Sequence, residues 1–314
     1  MHRKFDTMQK VHIISVDEPL MLNLALAIRE KGYEVSVSGE HLDNDIISQL
    51  NIAKCQHLES GWHPELITKD IRFVVLGANV LTNNPELERA RELGLLVLSL
   101  PEFIYQRMKG KTRVVISGSK GKRAIISMIA YTLQKQKMDF DYAITSQVPV
   151  LPNRIRMSYE ARIALIEGDE HVTSALEKRF QLEFYRPHIA VLAHLVWSAG
   201  NDHESPESYL NTYQLFSTSI EREGKLIYYG MDPALNQLAQ DVRPDITAIP
   251  YTEHSFITKE DGKTYLDTRY GDYEVRIPDK YFLINLNAAR LTCRQLGIKD
   301  ADFYQAISEY SLSL

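Results

Sequence analysis

The chain has 314 residues, enough for two domains of ordinary size, and a formal net charge of −5. Its hydrophobic fraction of 44% and charged fraction of 25% are typical of a soluble globular protein. The acidic balance argues against nucleic acid as a partner, because binding a phosphate backbone needs a basic face. The polar N-terminus and the lack of any apolar run near 18 residues argue against a signal peptide and a membrane partner.

Strand and helix patterns alternate from residue 11 to about residue 110. The predicted strands are Val11–Val16, Glu34–Ser38, Phe73–Gly77 and Leu95–Leu100, the last ended by Pro101. A helix is predicted over Leu20–Lys31, stopping at Gly32, and another begins after Asn84, which we expect to cap it. These elements predict a small Rossmann-like domain with a parallel sheet.

A second α/β domain is predicted after a linker at Gly110 and Lys111. Its expected strands are Thr112–Ile116, Phe140–Ile144, Ile163–Ile166, Ile189–Leu192 and Leu226–Tyr229. The expected helices include a long one at about Glu207–Glu223 and two closing ones at Asn285–Leu296 and Ala301–Tyr310. Turn signals at Asp261-Gly262 and Gly271-Asp272 predict a β-meander at the sheet edge, over residues 255–277.

The motif most informative about function follows the first strand of this domain and reads Gly118-Ser119-Lys120-Gly121-Lys122-Arg123. A strand, a glycine loop and a helix are the context in which such a motif binds nucleotide phosphates, with Lys122 reaching the terminal ones. A Ser or Thr hydroxyl that ligates Mg²⁺ is expected last, but Arg123 stands there. Arg123 either supplies its own charge in place of the metal or is exposed or paired with Glu167; the sequence leaves both open.

Several motifs in a shared order resemble the Mur ligase family, in the branch of UDP-N-acetylmuramate:amino-acid or tripeptide ligases. Besides the phosphate loop they are Asn83–Leu87, Ser99–Phe103, Glu167–Glu170, Tyr185–Pro187 and Asn285–Ala289. The resemblance covers nearly all of residues 11–310. It implies an α/β fold with a Rossmann-like N-terminal domain (1–110) that binds a UDP-sugar, and a P-loop α/β central ATPase domain (111–314).

The activity implied by the resemblance is ATP-dependent amide formation through an acyl phosphate, with Mg²⁺ bridging phosphates and carboxylate. Residue by residue, it implies Lys122 as the catalytic residue and Glu167 as the metal ligand. The residues implied to bind nucleotide are Gly118, Ser119, Lys120, Gly121, Lys122, Arg123 and Asn285. The family's third domain would begin where the chain ends, at Leu314, so we expect it to be absent.

The chain departs from the family pattern where the UDP-sugar would bind. Asp17 and Glu18 stand where the family has paired glycines, so two carboxylates would face two phosphates. Pro19 also removes a backbone donor. UDP-sugar binding in the family's mode is therefore not expected, and we interpret Asp17 and Glu18 as caps of the next helix.

The metal and base positions also depart. Ser198-Ala199 replaces the family's Asp-His pair, and Asp202-His203 could substitute only if the loop bulges; otherwise we expect His203 at the surface. Tyr281-Phe282 replaces a His-Asn pair near the adenine, where Phe282 could still stack.

These substitutions predict a Mur ligase-like pseudoenzyme of peptidoglycan synthesis or recycling. We expect it to bind a small-molecule nucleotide such as ATP, with Mg²⁺ doubtful, and to regulate or partner an intact Mur ligase or another protein. The alternative is an active ligase. Cys55 and Cys293 are expected to be buried free thiols, which favours a cytoplasmic location.

Overall fold

The computed structural model describes residues 9–174, 177–199, 202–260, 262–276 and 279–312. The chain divides into two compact units. One contains the described chain up to Arg107 together with Ile155–Met157 and Val172–Phe184, and the other contains the remainder. The first changeover lies between Arg107 and Met108. The domain limits 1–110 and 111–314 stay a prediction, and the sequence patterns do not foresee that the two later segments group with the first unit.

The first unit contains a parallel sheet flanked by helices. Its strands are β1 (Lys10–Ile14), β2 (Glu34–Ser38), β3 (Ile71–Leu76) and β4 (Leu96–Ser99), in the spatial order β2-β1-β3-β4. Its helices are α1 (Pro19–Glu30), α2 (Asn44–Ala53), α3 (Pro85–Glu92) and α4 (Leu100–Met108), with a 3-10 turn at Pro64–Leu66. The predicted α/β class and the parallel pairing are confirmed.

Local signals explain where several of these helices begin and end. The Asn84 side chain accepts hydrogen bonds from the backbone N–H groups of Glu86 and Leu87, so the predicted cap of α3 is confirmed. Gly32 follows α1 with a positive φ of 85°, a conformation that favours glycine. The prediction was wrong at Pro101, which lies in the first turn of α4 rather than ending a strand.

The second unit contains a larger parallel sheet. Its strands are β5 (Thr112–Ser117), β6 (Phe140–Ala143), β8 (Ile163–Glu167), β11 (Ile189–Leu192), β12 (Lys225–Tyr229) and β13 (Thr247–Tyr251), in the order β13-β12-β11-β5-β8-β6. The chain leaves β5 first toward β8 and β6, and later returns to its other side at β11. The carboxyl ends of β5 and β11 therefore flank a switch point, where parallel sheets usually bind ligands.

Helices of the second unit are α5 (Lys122–Lys135), α7 (Pro206–Thr218), α8 (Pro233–Gln240), α9 (Lys280–Gln295) and α10 (Asp300–Leu312). The helix predicted at about Glu207–Glu223 ends early, at Thr218, and the chain then turns with a φ of 60° at Glu223. Helix α9 begins at Lys280, before its predicted start at Asn285. The shorter elements of the whole chain are β7 (Ile155–Arg156), β9 (Val172–Ser174), β10 (Glu177–Phe180) and α6 (Leu182–Tyr185).

The predicted meander exists but does not extend the main sheet. Strands β14 (Phe256–Thr258), β15 (Thr264–Leu266) and β16 (Tyr273–Glu274) pair antiparallel as a separate sheet. Gly262 and Gly271 have positive φ angles of 78° and 131° at the predicted turns, while Asp261 lies outside the described residues. The sequence patterns therefore predict the antiparallel strands correctly, but they do not predict that these strands form a sheet of their own.

The core of the second unit holds the glycine loop in place from both sides. Val114 and Ile116 of β5 are buried together with Ile125 and Ile129 of α5 and Leu286 of α9. Helices α5 and α9 pack against each other, so residues at their N-terminal turns lie close to the end of β5. Among the described helices, none has the length and apolar composition needed to cross a membrane.

Candidate functional site

The glycine loop lies between β5 and α5 and depends on two glycines. Gly118 and Gly121 have φ angles of 125° and 95°, which other residues rarely adopt. A Cβ atom on Gly118 would approach the backbone carbonyl carbon of Ala193 to 3.0 Å, and one on Gly121 would approach Asn285 Oδ1 to 2.5 Å. The structure thus brings together Gly121 and Asn285, two predicted site residues that are far apart in sequence.

The side chain of Ser119 anchors the loop to the segment after β11. Ser119 N–H donates to His194 O at 2.9 Å, and Ser119 Oγ accepts from Val196 N–H at 2.7 Å. The same hydroxyl lies 2.6 Å from Tyr209 Oη, and Tyr209 Oη lies 3.4 Å from Tyr213 Oη. Tyr209 and Tyr213 of α7 were not foreseen, because the sequence does not show which helix covers the loop.

Lys122, the first residue of α5, is held by acidic residues that follow β8. Its Nζ forms an ion pair with Asp169 and lies 3.8 Å from Glu170 Oε2. Burial works to lower the pKa of Lys122, but the neighbouring carboxylates, foremost that of Asp169, outweigh it and the pKa is raised. Lys122 is therefore a cation that is already paired within an acidic cluster formed by Glu167, Asp169 and Glu170.

Glu167, the predicted metal ligand, is buried and already accepts hydrogen bonds at both oxygens. Ser146 donates its N–H to Oε2 at 2.8 Å and its hydroxyl to Oε1 at 2.6 Å. The hydroxyl of Thr145 donates to Asp169 Oδ2 at 2.7 Å. Thr145 and Ser146 were not singled out from the sequence, since nothing local in it indicates that the segment after β6 crosses these carboxylates.

Arg123 does not join this cluster. Its side chain is exposed, and among the described residues no ion pair links it to Glu167 or to another carboxylate. Within the second interpretation left open by the sequence, exposure fits and pairing with Glu167 does not; that Arg123 supplies its charge in place of a metal stays a prediction. Within the described chain, no group of three or more His, Cys, Asp or Glu residues is arranged to hold a metal ion.

The loop that contains Asp202 and His203 differs from expectation. His203 is buried rather than at the surface: it is 4% exposed, its Nε2 lies 3.1 Å from Glu170 O, and its ring packs edge-on against Tyr209. Asp202 Oδ2 lies 3.1 Å from Nδ1 of His171. These contacts of Asp202 and His203 are therefore with residues other than Glu167.

A cavity of about 480 Å³ lies beside the glycine loop, and the second unit alone forms it. Its lining includes Lys120, Gly121, His194, Tyr229, Tyr281 and Asn285. Tyr281 is 71% exposed, whereas Phe282 is 8% exposed and packs in the hydrophobic core. The prediction that Phe282 could stack on a base was therefore wrong, and Tyr281 is the aromatic residue at this position of the cavity wall.

The acidic turn of the first unit also differs from the sequence interpretation. Glu18 occupies the N-cap position of α1, but neither it nor Asp17 caps the helix with its side chain. Glu18 Oε1 instead accepts from Asn79 N–H at 3.3 Å, and a Cβ on Gly77 would meet that oxygen at 2.8 Å. Burial, the largest influence, raises the pKa of Glu18. The Glu18 carboxylate therefore lies against the end of β3.

Known proteins resemble the chain over nearly its whole length, although no family model matches it. The UDP-N-acetylmuramate-L-alanine ligase of Carboxydothermus hydrogenoformans is 24% identical over 329 aligned residues, covering 98% of this chain and 66% of that relative. The ligase of the same name from Arthrobacter sp. strain FB24 is 25% identical, with coverages of 98% and 66%. The chain thus spans slightly less than two thirds of the length of these relatives.

Solved structures agree with the fold. A UDP-N-acetylmuramate:L-alanyl-gamma-D-glutamyl-meso-diaminopimelate ligase from Neisseria meningitides has a TM-score of 0.83 at 19% identity, covering 96% of this chain and 98% of that one. UDP-N-acetylmuramate-alanine ligase from Thermotoga maritima has a TM-score of 0.70 at 16% identity, with coverages of 96% and 68%. In sequence and in fold together, the chain is similar to ligases of the Mur family.

Proposed function

We propose that the second unit binds the phosphates of a nucleotide such as ATP without Mg²⁺, and that the chain works as a nucleotide-binding pseudoenzyme of peptidoglycan synthesis or recycling. The observation that carries this proposal is the acidic cluster after β8. Lys122 is already paired with Asp169 and lies near Glu170, while each oxygen of Glu167 accepts a hydrogen bond from Ser146.

The loop itself supports phosphate binding. Gly118 and Gly121 adopt conformations that turn backbone N–H groups away from the regular strand and helix directions. The N-terminus of the fourteen-residue helix α5 follows directly and favours negative charge. Lys122 stands at that N-terminus, and the cavity beside the loop has room for a nucleoside.

The residues of the site do not fit a magnesium ion bound in the family's manner. Arg123 has no hydroxyl to ligate a cation and places a positive charge at that position of the loop. A cation near Glu167 would also be repelled by the ammonium group of Lys122, which the neighbouring carboxylates hold in place. No step of the proposed function therefore uses a metal.

The proposed role is regulation or partnership with another protein, such as an intact Mur ligase, in the cytoplasm. Cys55 and Cys293 are both buried free thiols, which fits a reducing compartment. A sheet and core that are complete while the metal chemistry is substituted favour a binding role over a decaying enzyme, because binding requires the fold but not the metal ligands.

Thermal denaturation with ATP, in the presence and absence of Mg²⁺, tests this proposal. A ligand that binds the native state raises the midpoint of unfolding, so ATP is expected to raise it by several degrees, equally with Mg²⁺ and with EDTA. Arg123→Thr, which restores the hydroxyl, is expected to make the shift depend on Mg²⁺. A shift seen in the parent chain only with Mg²⁺ would contradict the proposal.

An active ATP-dependent ligase that forms an amide through an acyl phosphate is the second candidate. It is favoured by Lys122 and Glu167, which stand where the resemblance implies the catalytic lysine and the metal ligand. Phosphate release distinguishes the two candidates. We expect none above background when ATP, Mg²⁺, UDP-N-acetylmuramate and L-alanine or a muropeptide are supplied together. Substrate-dependent phosphate release would establish the second candidate instead.

A further inference from the structure

A buried carboxylate outside the acidic cluster supports the part of the cavity wall that is formed by the segment after β11. Asp232 is 3% exposed and precedes α8. Its Oδ1 accepts from the N–H groups of Ala234 and Leu235, at 3.0 and 3.3 Å, and caps that helix. Its Oδ2 accepts from Leu195 N–H at 3.0 Å. Backbone donors thus fix both oxygens of Asp232 in place.

His194 is the side chain that this carboxylate orients. His194 Nδ1 lies 3.0 Å from Asp232 Oδ2, and Asp232 acts as an acceptor in its other contacts. The shared proton therefore lies on Nδ1, and in the neutral form of an imidazole with this tautomer the lone pair is on Nε2. The His194 ring also stands edge-on to Tyr229, with ring centroids 5.9 Å apart. Its orientation is thus set on two sides.

The remaining nitrogen of His194 is available to a ligand. The side chain is 48% exposed, and the residue lines the cavity beside the glycine loop. Among the hydrogen bonds of the described residues, none uses Nε2, although Nδ1 is occupied. An oriented imidazole with one occupied and one open nitrogen presents a single acceptor of fixed direction.

The rest of the cavity wall indicates what kind of group would meet this acceptor. Tyr229, Tyr281 and Ile284 supply aromatic and apolar surface, and the Asn285 amide lies on the side of the glycine loop. Such a wall suits a flat heteroaromatic ring or a sugar next to bound phosphates. The matching partner of His194 Nε2 is an N–H or O–H donor on the nucleoside part of the ligand.

We propose that His194, oriented by Asp232, is a specificity-determining residue of this cavity, whose Nε2 accepts a hydrogen bond from the nucleoside part of the bound nucleotide. The proposal rests on nucleotide binding by the second unit. The donor is either the exocyclic amine of the base or a ribose hydroxyl, and these two sources share the same chemistry. Sequence spacing could not indicate the pair, because the two residues are 38 positions apart.

The test compares the parent chain with His194→Phe, which keeps a flat ring beside Tyr229 and leaves Leu195 N–H to satisfy Asp232. Dissociation constants are measured by calorimetry for ATP, ITP, 2′-deoxy-ATP, 3′-deoxy-ATP and inorganic tripolyphosphate. His194→Phe is expected to weaken ATP binding about 3- to 10-fold, the equivalent of one hydrogen bond, and to leave tripolyphosphate binding unchanged. Each nucleotide analogue lacks one candidate donor. The donor is identified by the analogue whose dissociation constant for the parent chain equals that of ATP for His194→Phe.

His171→Phe is the matched control. His171 forms another His–Asp pair of the same unit, 59% exposed, with Nδ1 3.1 Å from Asp202 Oδ2, but it does not line the cavity. This variant is expected to bind all five ligands like the parent. Unchanged ATP affinity in His194→Phe, or an equal loss for ATP and tripolyphosphate, would overturn the role of His194 alone. If the parent chain binds neither ATP nor tripolyphosphate, the proposed function is overturned as well.

Discussion

The residues that follow the first strand of each unit, β1 and β5, carry opposite charges. In the first unit, β1 is followed by Asp17 and Glu18, whose carboxylates lie against Gly39 and Gly77. In the second unit, β5 is followed by a glycine loop and by the ammonium group of Lys122. Both positions lie at the carboxyl edge of a parallel sheet, where ligands usually bind.

This difference shows that a shared architecture does not produce a shared site. Glu18 takes a backbone N–H group, that of Asn79, which an anionic ligand would otherwise use. In the second unit, Gly118 and Gly121 let the loop pass close to Ala193 and Asn285, and the acidic cluster is paired with Lys122. We therefore expect anion binding in the second unit and not at the acidic turn of the first.

Replacing Lys122 should have the largest effect on ATP binding and on stability. Lys122→Met is expected to abolish the ATP-dependent rise in melting temperature. It should also lower the free energy of unfolding by about 3 kcal/mol, because it leaves Asp169 and Glu170 facing each other without a counter-charge. Thermal and urea denaturation measure both effects.

Lys135→Met is the control for that variant. Lys135 lies in the same helix and pairs with Glu309 at 2.6 Å, but both side chains are more than 40% exposed. An exposed pair contributes little to stability, so ATP binding should persist and the free energy of unfolding should change little. Undiminished ATP binding by Lys122→Met would contradict the role of Lys122.

Removing the negative charge of Asp169, which pairs with Lys122, should strengthen anion binding in the second unit. Asp169→Asn keeps an acceptor for Thr145 but removes the charge paired with Lys122. ATP is expected to bind about 3- to 10-fold more tightly, because the phosphates no longer compete with that carboxylate. The measurement is calorimetric titration in EDTA, and weaker binding would indicate that Asp169 assists phosphate binding.

The smallest expected effect concerns the pH dependence of the first unit. Burial raises the pKa of Glu18 above the ordinary value of 4.5 for a glutamate, so the folded chain holds this proton more tightly than the unfolded chain. Stability contributed by this group therefore falls as pH rises from about 4.5 through the raised pKa. Glu18→Gln should remove that loss and gain roughly 0.5–1 kcal/mol near neutral pH but nothing at pH 4. Urea denaturation across this range measures it.

For Glu86→Gln, in the same unit, we expect the opposite dependence of stability on pH. Burial works to raise the pKa of Glu86, but its hydrogen bonds with His12, Ser38 and the His63 N–H outweigh burial and the pKa is lowered. Its ionised form therefore stabilises the fold above the unfolded pKa, and this stability is lost as pH falls through the folded pKa. Glu86→Gln should thus be most harmful near neutral pH. Parallel slopes for the two variants would refute the assigned signs.

The sequence by itself determined the features that depend on neighbours a few residues apart. The Asn84 cap, the turn at Gly32, the strand patterns and the glycine spacing before α5 are local, because a cap or turn is formed within about four residues. Strand patterns also indicated the α/β class, since apolar runs that alternate with helices bury both faces of a parallel sheet.

Only the tertiary structure decided which partners the charged side chains meet. Lys122 pairs with Asp169, 47 residues away, and Glu18 accepts from Asn79, 61 residues away. These contacts follow from strand order, because the order decides which strand ends lie side by side at the edge of a sheet. The free energy of a charge depends on those neighbours and on its burial, neither of which is written in the local sequence.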